Sequence, residues 1–387
     1  MSEVIDLLAQ LVSIGSVNPM GRGLTGDDIL ETRMGHFLER WFQQEGIPCE
    51  RQTVEPGRDN IIARLEGGPR TILFEAHQDV VPIDNMTIDP WKPVIENGRL
   101  QGRGSCDTKA GMAGMMTAMR RLKAAAPANM PTVTMLCVVD EEHQFRGISK
   151  ACELGIQADL AIVAEPTELE IVVSHKGVVR WKIVTTGVSV HSGNRDDGVN
   201  AIVRMAKVIQ ALENFHQQVL RSRTDSTLGN AALSIGCIRG GTSVNTVPNR
   251  CEIEVDRRLL PGEEPLECIA EVREWLTEAG FSTNGSLDFE PIFEDPWVIS
   301  PPLQRTGKES VIRQLAQSCD HILGSHKISG VVYGTDASVI AGAGIPVVVF
   351  GAGSIRQAHS KDEWVSIEQV EQATEVFYDF LCQVGKT

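Results

Sequence analysis

The chain has 387 residues, of which 42% are hydrophobic and 22% are charged, as in ordinary globular proteins. Its formal net charge of -15 argues against nucleic acid or an anionic membrane as the main partner, although a locally positive site can still bind an anionic substrate. A single hydrophobic core stops growing below this chain length, so we expect two domains.

The N-terminal segment and the cysteines indicate a reducing compartment. The segment MSEVIDLLAQLVSIG carries acidic residues where a signal peptide carries basic ones, and its apolar residues have helical spacing. No stretch approaches the roughly 20 apolar residues that span a bilayer. The nine cysteines are scattered without a Cys-x-x-Cys pair, which argues against a disulfide framework or a thiolate zinc site. We therefore predict a cytoplasmic protein with reduced thiols and no membrane partner.

Both ends of the chain alternate helical and strand patterns. Helical spacing covers residues 27–44, 110–126 and 366–382, and the first of these stretches stops at Gly46. Short apolar runs indicate strands at 60–65, 71–76, 133–139, 160–164, 330–333 and 346–350. This alternation predicts an α/β domain with a mixed, mostly parallel sheet and helices on both faces.

The middle of the chain has a different order. Strand and helix patterns follow one another at 178–184 (strand), 199–215 (helix), 231–238 (strand), 251–259 (strand), 265–279 (helix) and 287–292 (weaker strand). The order β-α-β-β-α-β is the ferredoxin-like arrangement. We therefore predict that residues 1–176 and 294–387 form the α/β domain and that residues 177–293 form a compact inserted domain.

The stretch ILFEAHQDVVP ends a buried strand with polar residues that are unusual at a turn. His77 and Asp79 are two residues apart, so on an extended segment they point to the same side. If His77 binds a metal through one nitrogen, Asp79 is placed to hold the other one. Taken alone, a buried histidine with a hydrogen-bond partner is the commoner explanation of this short motif.

Three other predicted strands also end on candidate ligands. Asp140, Glu141 and Glu142 follow 133–139, Glu165 follows 160–164, and His359 follows 346–350 in the segment GAGSIRQAH. Adjacent extended residues point in opposite directions, so Glu141 and Glu142 can divide the roles of base and ligand. A solvated acidic turn is the alternative for this run. Because ligands bind beyond the carboxyl ends of strands in open α/β sheets, the coincidence favours one site.

Asp107 is the fifth candidate and lies in GRGSCDTKAGMAG. This stretch lacks the third glycine of a dinucleotide fingerprint and the Gly-Lys-Ser/Thr of a phosphate loop, so it does not predict a nucleotide site. Asp107 stands at the head of a predicted helix, where it is either a helix cap or a metal ligand.

Together these residues offer the nitrogen and oxygen ligands that suit Zn²⁺, with Co²⁺ or Mn²⁺ able to substitute. The five candidate ligands are His77, Asp107, Glu165, His359 and one carboxylate of the run Asp140–Glu142. Five are too many for one catalytic zinc with an open position, but they suit two metals that share a bridging carboxylate. Such a site generates hydroxide and polarises a carbonyl. Glu141 would then move the proton from the attacking water to the leaving nitrogen.

These motifs resemble, in order and spacing over essentially the whole chain, the dizinc amidohydrolase and exopeptidase family. The family includes acetylornithine deacetylase, succinyl-diaminopimelate desuccinylase, aminoacylase and the glutamate carboxypeptidases. The resemblance implies two Zn²⁺ per subunit, with His77 and Glu165 on one ion, Glu142 and His359 on the other, and Asp107 between them. It implies that Asp79 supports His77 and that Glu141 is the general acid/base.

The resemblance also assigns roles in the inserted domain, which in the family is a lid that makes homodimers. His191, in VHSG, would stabilise the oxyanion, often in the partner subunit's site; an ordinary lid histidine is the alternative. Asn245 and Arg258 would bind the substrate carboxylate, although a salt bridge with Asp256 competes for Arg258. Gly334, Thr335 and Asp336 resemble a substrate loop of the desuccinylase branch. The remaining histidines match no motif and are interpreted as structural or exposed, as follows: His36, His143, His175, His216, His321 and His326.

The phrase GSIRQAH most resembles the acetylornithine deacetylase branch. We therefore predict hydrolysis of an N-acyl amino acid, best N-acetylornithine. The alternatives are a desuccinylase-like activity on N-succinyl-diaminopimelate, cleavage of dipeptides or of a C-terminal residue, and, more remotely, a metal-binding regulatory protein without activity. The last would be favoured by loss of a ligand or of Glu141, and all of these residues are present.

Overall fold

The computed structural model describes residues 2–305 and 309–385. The chain divides into two compact units. The first comprises the chain up to Val173, Arg305–Ser329 and the part from Thr335 onward, and the second comprises Ser174–Gln304 and Gly330–Gly334. The predicted boundaries at 177 and 293 stay a prediction. In the described ranges, every helix is too short or too polar to cross a membrane.

The secondary structure alternates along the chain as follows. The helices are α1 (Glu3–Val12), α2 (Thr32–Gln44), α3 (Lys109–Ala125), α4 (Arg146–Glu153), α5 (Ala201–Gln218), α6 (Pro265–Glu278), α7 (Glu309–Leu323), α8 (Ala337–Gly342) and α9 (Ile367–Val384). The strands are β1 (Cys49–Glu55), β2 (Arg58–Leu65), β3 (Gly68–His77), β4 (Val94–Glu96), β5 (Arg99–Gln101), β6 (Pro131–Val138), β7 (Leu160–Val163), β8 (Ile171–His175), β9 (Gly177–Thr186), β10 (Thr224–Asp225), β11 (Gly229–Asn230), β12 (Ala232–Gly240), β13 (Arg250–Leu259), β14 (Ile292–Phe293), β15 (Val298–Ser300), β16 (Ile328–Val331), β17 (Val347–Val349) and β18 (Trp364–Ser366). Helix α2 begins later than the predicted residue 27 because Leu30 has a φ of +66°, outside the helical region.

The large sheet is mixed, with strand order β1-β2-β6-β3-β7-β17-β8-β16. The pairs β6–β3, β3–β7 and β7–β17 are parallel, whereas β1–β2, β2–β6 and β17–β8 are antiparallel. The four central strands are therefore parallel, and their carboxyl ends lie at one edge. The predicted α/β architecture is confirmed.

The central strands are buried on both faces. Ile72 and Phe74 of β3 belong to a large hydrophobic cluster that includes α1, α3 and α9, and the ring of Phe74 packs 5.4 Å from that of Phe377. Leu73 lies between them on the strand and is also fully buried. Because successive side chains of a strand point to opposite faces, both faces of this sheet are covered.

The second unit has the predicted ferredoxin-like order β9-α5-β12-β13-α6-β14. Its antiparallel sheet has the strand order β12-β13-β9-β14, with β15 also paired to β9. A separate hydrophobic cluster around Trp181 and Phe215 holds it together. The last strand starts at Ile292 and is shorter than the predicted 287–292, because Pro291 has no N–H to join the ladder.

Candidate metal centre

Four of the five predicted ligands follow neighbouring parallel strands of the large sheet. His77 is the last residue of β3, Glu142 follows β6, and Glu165 follows β7. His359 lies in the loop after β17. Since β6, β3, β7 and β17 are consecutive in the sheet and parallel, their carboxyl ends present these side chains at one edge.

Asp107 lies between the two histidines. Its Oδ1 is 3.1 Å from Nε2 of His77, and its Oδ2 is 3.2 Å from Nε2 of His359. Oε1 of Glu165 lies 4.0 Å from Nε2 of His77, and Oε2 of Glu142 lies 3.1 Å from Nε2 of His359. The structure therefore brings the five residues together, with one carboxylate oxygen of Asp107 facing each imidazole.

Glu141 belongs to the same cluster. His77, Glu141 and Glu165 offer ligand atoms that lie within 4.8 Å of one another, and so do His77, Asp107 and Glu142. Glu141 therefore lies beside His77 and Glu165, two of the five candidate ligands. This is the position in which a proton acceptor reaches a bound water.

Burial and charge act against each other at the centre of this cluster. Burial lowers the pKa of His77, but the hydrogen bond of Asp107 and the charge of Glu141 outweigh it and hold the pKa well above its ordinary value. Burial raises the pKa of Asp107, but His359 and His77 outweigh it and hold the pKa well below its usual range. Asp107 is therefore ionised and available as a ligand.

The carboxyl groups of Glu141, Glu142 and Glu165 have raised pKa values, unlike that of Asp107. Burial is the largest cause that raises the pKa of Glu141 and of Glu165 well above the ordinary value, and the charge of Asp107 raises both further. Burial also raises the pKa of Glu142, against the opposing charge of His359. Divalent cations stabilise such a cluster, in which His77 and most of the carboxylates are buried and His359 is exposed, so the residues present fit a two-metal site.

Asp79 contacts His77 through a different atom from the one predicted. The acceptor nearest to Nδ1 of His77 is the backbone carbonyl oxygen of Asp79 at 2.9 Å, whereas the carboxylate oxygen Oδ1 is 3.8 Å away. The carboxylate instead accepts hydrogen bonds from Nδ2 of Asn18 at 2.8 Å and from the backbone N–H groups of Glu141 and Glu142 at 3.2 and 3.1 Å. Asp79 thus leaves Nε2 of His77 free to face Asp107 and also holds the peptide that carries the two glutamates.

Asn18 connects Asp79 to a buried ionic network. Nδ2 of Asn18 also donates to Asp140 at 2.9 Å, and Asp140 accepts from Arg58 at 2.7 Å. Arg58 forms a second, two-pronged ion pair with Glu31. Sequence reasoning did not identify Asn18, Arg58 or Glu31, because their partners are distant along the chain.

Two further buried carboxyl groups lie close to the site. Glu75 is on β3, two residues before His77, and Asp336 is the last residue of the predicted substrate loop. Burial raises the pKa of Glu75 to about 8 against the charge of His77, and burial with the charge of Glu75 raises the pKa of Asp336 well above its ordinary value. The sequence signal for Glu75 was a glutamate inside the apolar run ILFEAH, and Asp336 belonged to the predicted substrate loop.

In the second unit, the structure brings His191 and Asn245 together. The N–H of Ser192 donates to the carbonyl oxygen of Asn245 at 2.9 Å, and His191 and Thr246 form a β-bridge. Both His191 and Asn245 are exposed, and Nδ1 of His191 accepts a hydrogen bond from the N–H of Gly193 at 3.1 Å. The two predicted lid residues are thus carried on adjoining loops.

Arg258 forms the ion pair that competed with its predicted role. Its Nε donates to Oδ1 of Asp256 at 2.7 Å, and Arg180 donates to the other carboxylate oxygen at 2.8 Å. Arg258 and Asp256 are two residues apart on β13 and so share one face of the sheet. Gly334 lies in the second unit, whereas Thr335 is fully buried in the first and accepts a hydrogen bond from the N–H of Ala337.

The sequence of this chain is similar to those of known hydrolases. A model of Peptidase family M20/M25/M40 matches residues 73–383. An acetylornithine deacetylase of Proteus mirabilis (strain HI4320) is 29% identical over 384 residues, which cover 96% of this chain and 94% of that protein. An N-formyl-4-amino-5-aminomethyl-2-methylpyrimidine deformylase of Bacillus subtilis (strain 168) is 25% identical over 406 residues, which cover 98% of this chain and 94% of that protein.

Solved structures share the fold. The M20 family metallo-carboxypeptidase Sso-CP2 of Sulfolobus solfataricus has a TM-score of 0.80 at 19% identity over 100% of both chains. The YXEP protein of Bacillus subtilis, described as a dinuclear metal binding peptidase, has a TM-score of 0.70 at 19% identity over 99% of this chain and 98% of that chain. The family model spans most of the chain, including the strand-end residues. This protein therefore belongs to Peptidase family M20/M25/M40 and is a hydrolase that acts on amide bonds.

Proposed function

We propose that the protein is a dizinc deacetylase that hydrolyses the amide bond of an N-acyl amino acid, best N-acetylornithine. The observation that carries the proposal is the position of Asp107, whose two carboxylate oxygens face His77 and His359 at 3.1 and 3.2 Å. A carboxylate that faces two imidazoles in this way is suited to bridge two metal ions.

The five strand-end and loop ligands would divide between the two ions. His77 and Glu165 would hold one, Glu142 and His359 the other, and Asp107 both. The paired ions supply Lewis acidity, which lowers the pKa of water and polarises the substrate carbonyl. The nitrogen and oxygen donors suit Zn²⁺, and Co²⁺ or Mn²⁺ can replace it.

Glu141 would act as the general acid/base. It faces the cluster, and its buried carboxyl group has a pKa well above the ordinary value, with burial as the largest cause. A base of this kind accepts a proton from the attacking water and returns it to the leaving nitrogen. His191 would stabilise the oxyanion, and Asn245, Arg258, Gly334 and Thr335 would bind the substrate. For Arg258 this requires release from Asp256.

The choice of substrate is supported by the segment GSIRQAH and by acetylornithine deacetylases among the curated relatives at 27–29% identity. A substrate panel on the metal-loaded protein tests it. The panel contains N-acetylornithine, N-succinyl-diaminopimelate, other N-acyl amino acids, an N-formyl pyrimidine and dipeptides. We expect N-acetylornithine to give the highest kcat/KM. Turnover of dipeptides alone would instead support an exopeptidase.

Replacing Glu141 with Gln tests the mechanism separately. The amide keeps the shape of the side chain but cannot accept the proton, so we expect kcat to fall by about 10²- to 10⁴-fold. The number of bound metal ions, measured by elemental analysis, should stay at the wild-type value. Loss of a metal ion would show that Glu141 is a ligand, and full activity would contradict the proposed mechanism.

We also propose that the protein forms a homodimer through the second unit. β12 lies at the edge of its sheet, and Ile238 and Val244 near this edge are 56% and 101% exposed. An edge strand with exposed apolar residues is suited to pair with a second copy. Sedimentation of wild type and of Ile238→Lys tests this proposal, and we expect the charged variant to be monomeric.

A further inference from the structure

The loop that carries Asp107 is buried and sharply turned. Arg103, Ser105 and Cys106 are buried, and Gly104 has a φ of +80°. A Cβ atom at Gly104 would lie 2.7 Å from Cγ1 of Val80, so the chain passes too close for a side chain. The backbone N–H groups of such a loop need acceptors from the protein itself.

Glu363 supplies these acceptors with one fully buried carboxylate. Oε2 accepts from Nη1 of Arg103 at 2.6 Å and from the N–H of Gly104 at 3.0 Å. Oε1 accepts from the N–H groups of Cys106 and Asp107 at 2.9 and 3.1 Å. An ionised carboxylate has about four acceptor positions, and the loop fills them with four donors.

Glu363 also ties this loop to the segment that carries His359. It follows His359 by four residues, and its own carbonyl oxygen accepts a hydrogen bond from the N–H of Gly102 at 3.1 Å. Directly after it, β18 pairs antiparallel with β5, immediately before the Asp107 loop. The two segments are thus joined at Glu363 and directly after it.

We propose that Glu363 is a positioning residue that fixes the carboxylate of Asp107 between His77 and His359. It holds the backbone N–H of Asp107 itself, so a shift of this hydrogen bond moves the residue that faces both imidazoles. This inference rests on the proposed two-metal function. It adds a residue that touches neither a metal nor the substrate but sets the spacing of the site. Partners of this kind affect metal affinity by about 10- to 100-fold in known metal sites.

The test compares Glu363→Gln with Asp362→Asn. Asp362 is the neighbouring residue and is exposed. Asp362→Asn removes one carboxylate, as Glu363→Gln does, so it controls for the loss of negative charge from the segment. In Glu363→Gln one oxygen becomes an NH₂ donor that faces N–H groups of the loop. We expect metal affinity, measured by competition with a chelator for Co²⁺ and Zn²⁺, to fall by about 10- to 100-fold. The Co²⁺ absorption spectrum should change, and kcat should fall more than KM rises. Asp362→Asn should match wild type in all three measurements.

The outcomes separate this inference from the proposed function. A wild-type chain that binds no metal contradicts the proposed function itself. If wild type binds metal and a folded Glu363→Gln variant has the same metal affinity and Co²⁺ spectrum, only the proposed role of Glu363 is overturned. If Glu363→Gln does not fold, Glu363→Asp decides, because it keeps the charge but draws the oxygens back by one methylene. Wild-type affinity and spectrum in Glu363→Asp, or failure of both variants to fold with or without metal, would assign Glu363 to folding alone and overturn the proposal.

Discussion

Two strands of the large sheet end in a buried histidine, β3 at His77 and β8 at His175. In both residues Nδ1 lies close to a backbone carbonyl oxygen, at 2.9 Å for His77 and 3.0 Å for His175. The pKa values nevertheless move in opposite directions. Burial lowers the pKa of His175 to about 4, whereas at His77 Asp107 and Glu141 outweigh burial and raise the pKa. His77 is a candidate ligand because its second ring nitrogen, Nε2, faces the carboxylate of Asp107.

The largest expected effect on metal affinity and activity comes from replacing His77, with the same replacement of His175 as the control. His77→Asn removes a proposed ligand, so we expect metal affinity and kcat/KM to fall by at least about 100-fold, the upper range for residues that only support a ligand. His175→Asn is the matched variant and should keep both values within a factor of a few. Circular dichroism should show that both variants are folded. If both then lose metal affinity and kcat/KM equally, His77 does not differ from His175 as a ligand, and the comparison fails.

A smaller effect is expected from Asp79→Asn. The amide keeps the size of the side chain but replaces an oxygen that accepts from the backbone of Glu141 and Glu142 with a donor. We expect a loss of about 10- to 100-fold in metal affinity, with both ions still bound at saturation. The measurement is isothermal titration of the metal-free protein. An affinity equal to that of wild type would mean that the carboxylate does not hold the ligand segment.

The smallest expected effect concerns pH and His175. Its folded pKa of about 4 lies below the unfolded value of about 6.5, so between these values the unfolded state binds more protons. Stability is therefore lost as pH falls, by about 2 kcal/mol from pH 7 to pH 5 for this group. Urea unfolding of the metal-free protein should show this loss in wild type, and the loss should be smaller by that amount in His175→Asn. The same pH dependence in both proteins would contradict a neutral, buried His175.

The sequence predicted the chemistry of the strand ends because a strand fixes where its last residue points. His77, Glu142 and Glu165 could be placed at one edge once the alternation of strands and helices indicated a parallel sheet. The residues that support them could not be found in this way. Glu363 contacts a loop more than 250 positions earlier in the chain. Asn18 joins Asp79 to Asp140, which are 61 and 122 positions away from it. Such contacts depend on packing and leave no local pattern.

The sequence by itself predicted the fold class, the β-α-β-β-α-β order of the second unit and a set of candidate metal ligands, because periodicity and residue type are local properties. Tertiary structure decided which atoms of these residues are in contact. It placed the backbone carbonyl of Asp79, and not its carboxylate, on Nδ1 of His77. It paired Arg258 with Asp256 and set Asp107 between two imidazoles. The physical reason is that distances of about 3 Å between side chains depend on how strands and loops pack, which no short motif specifies.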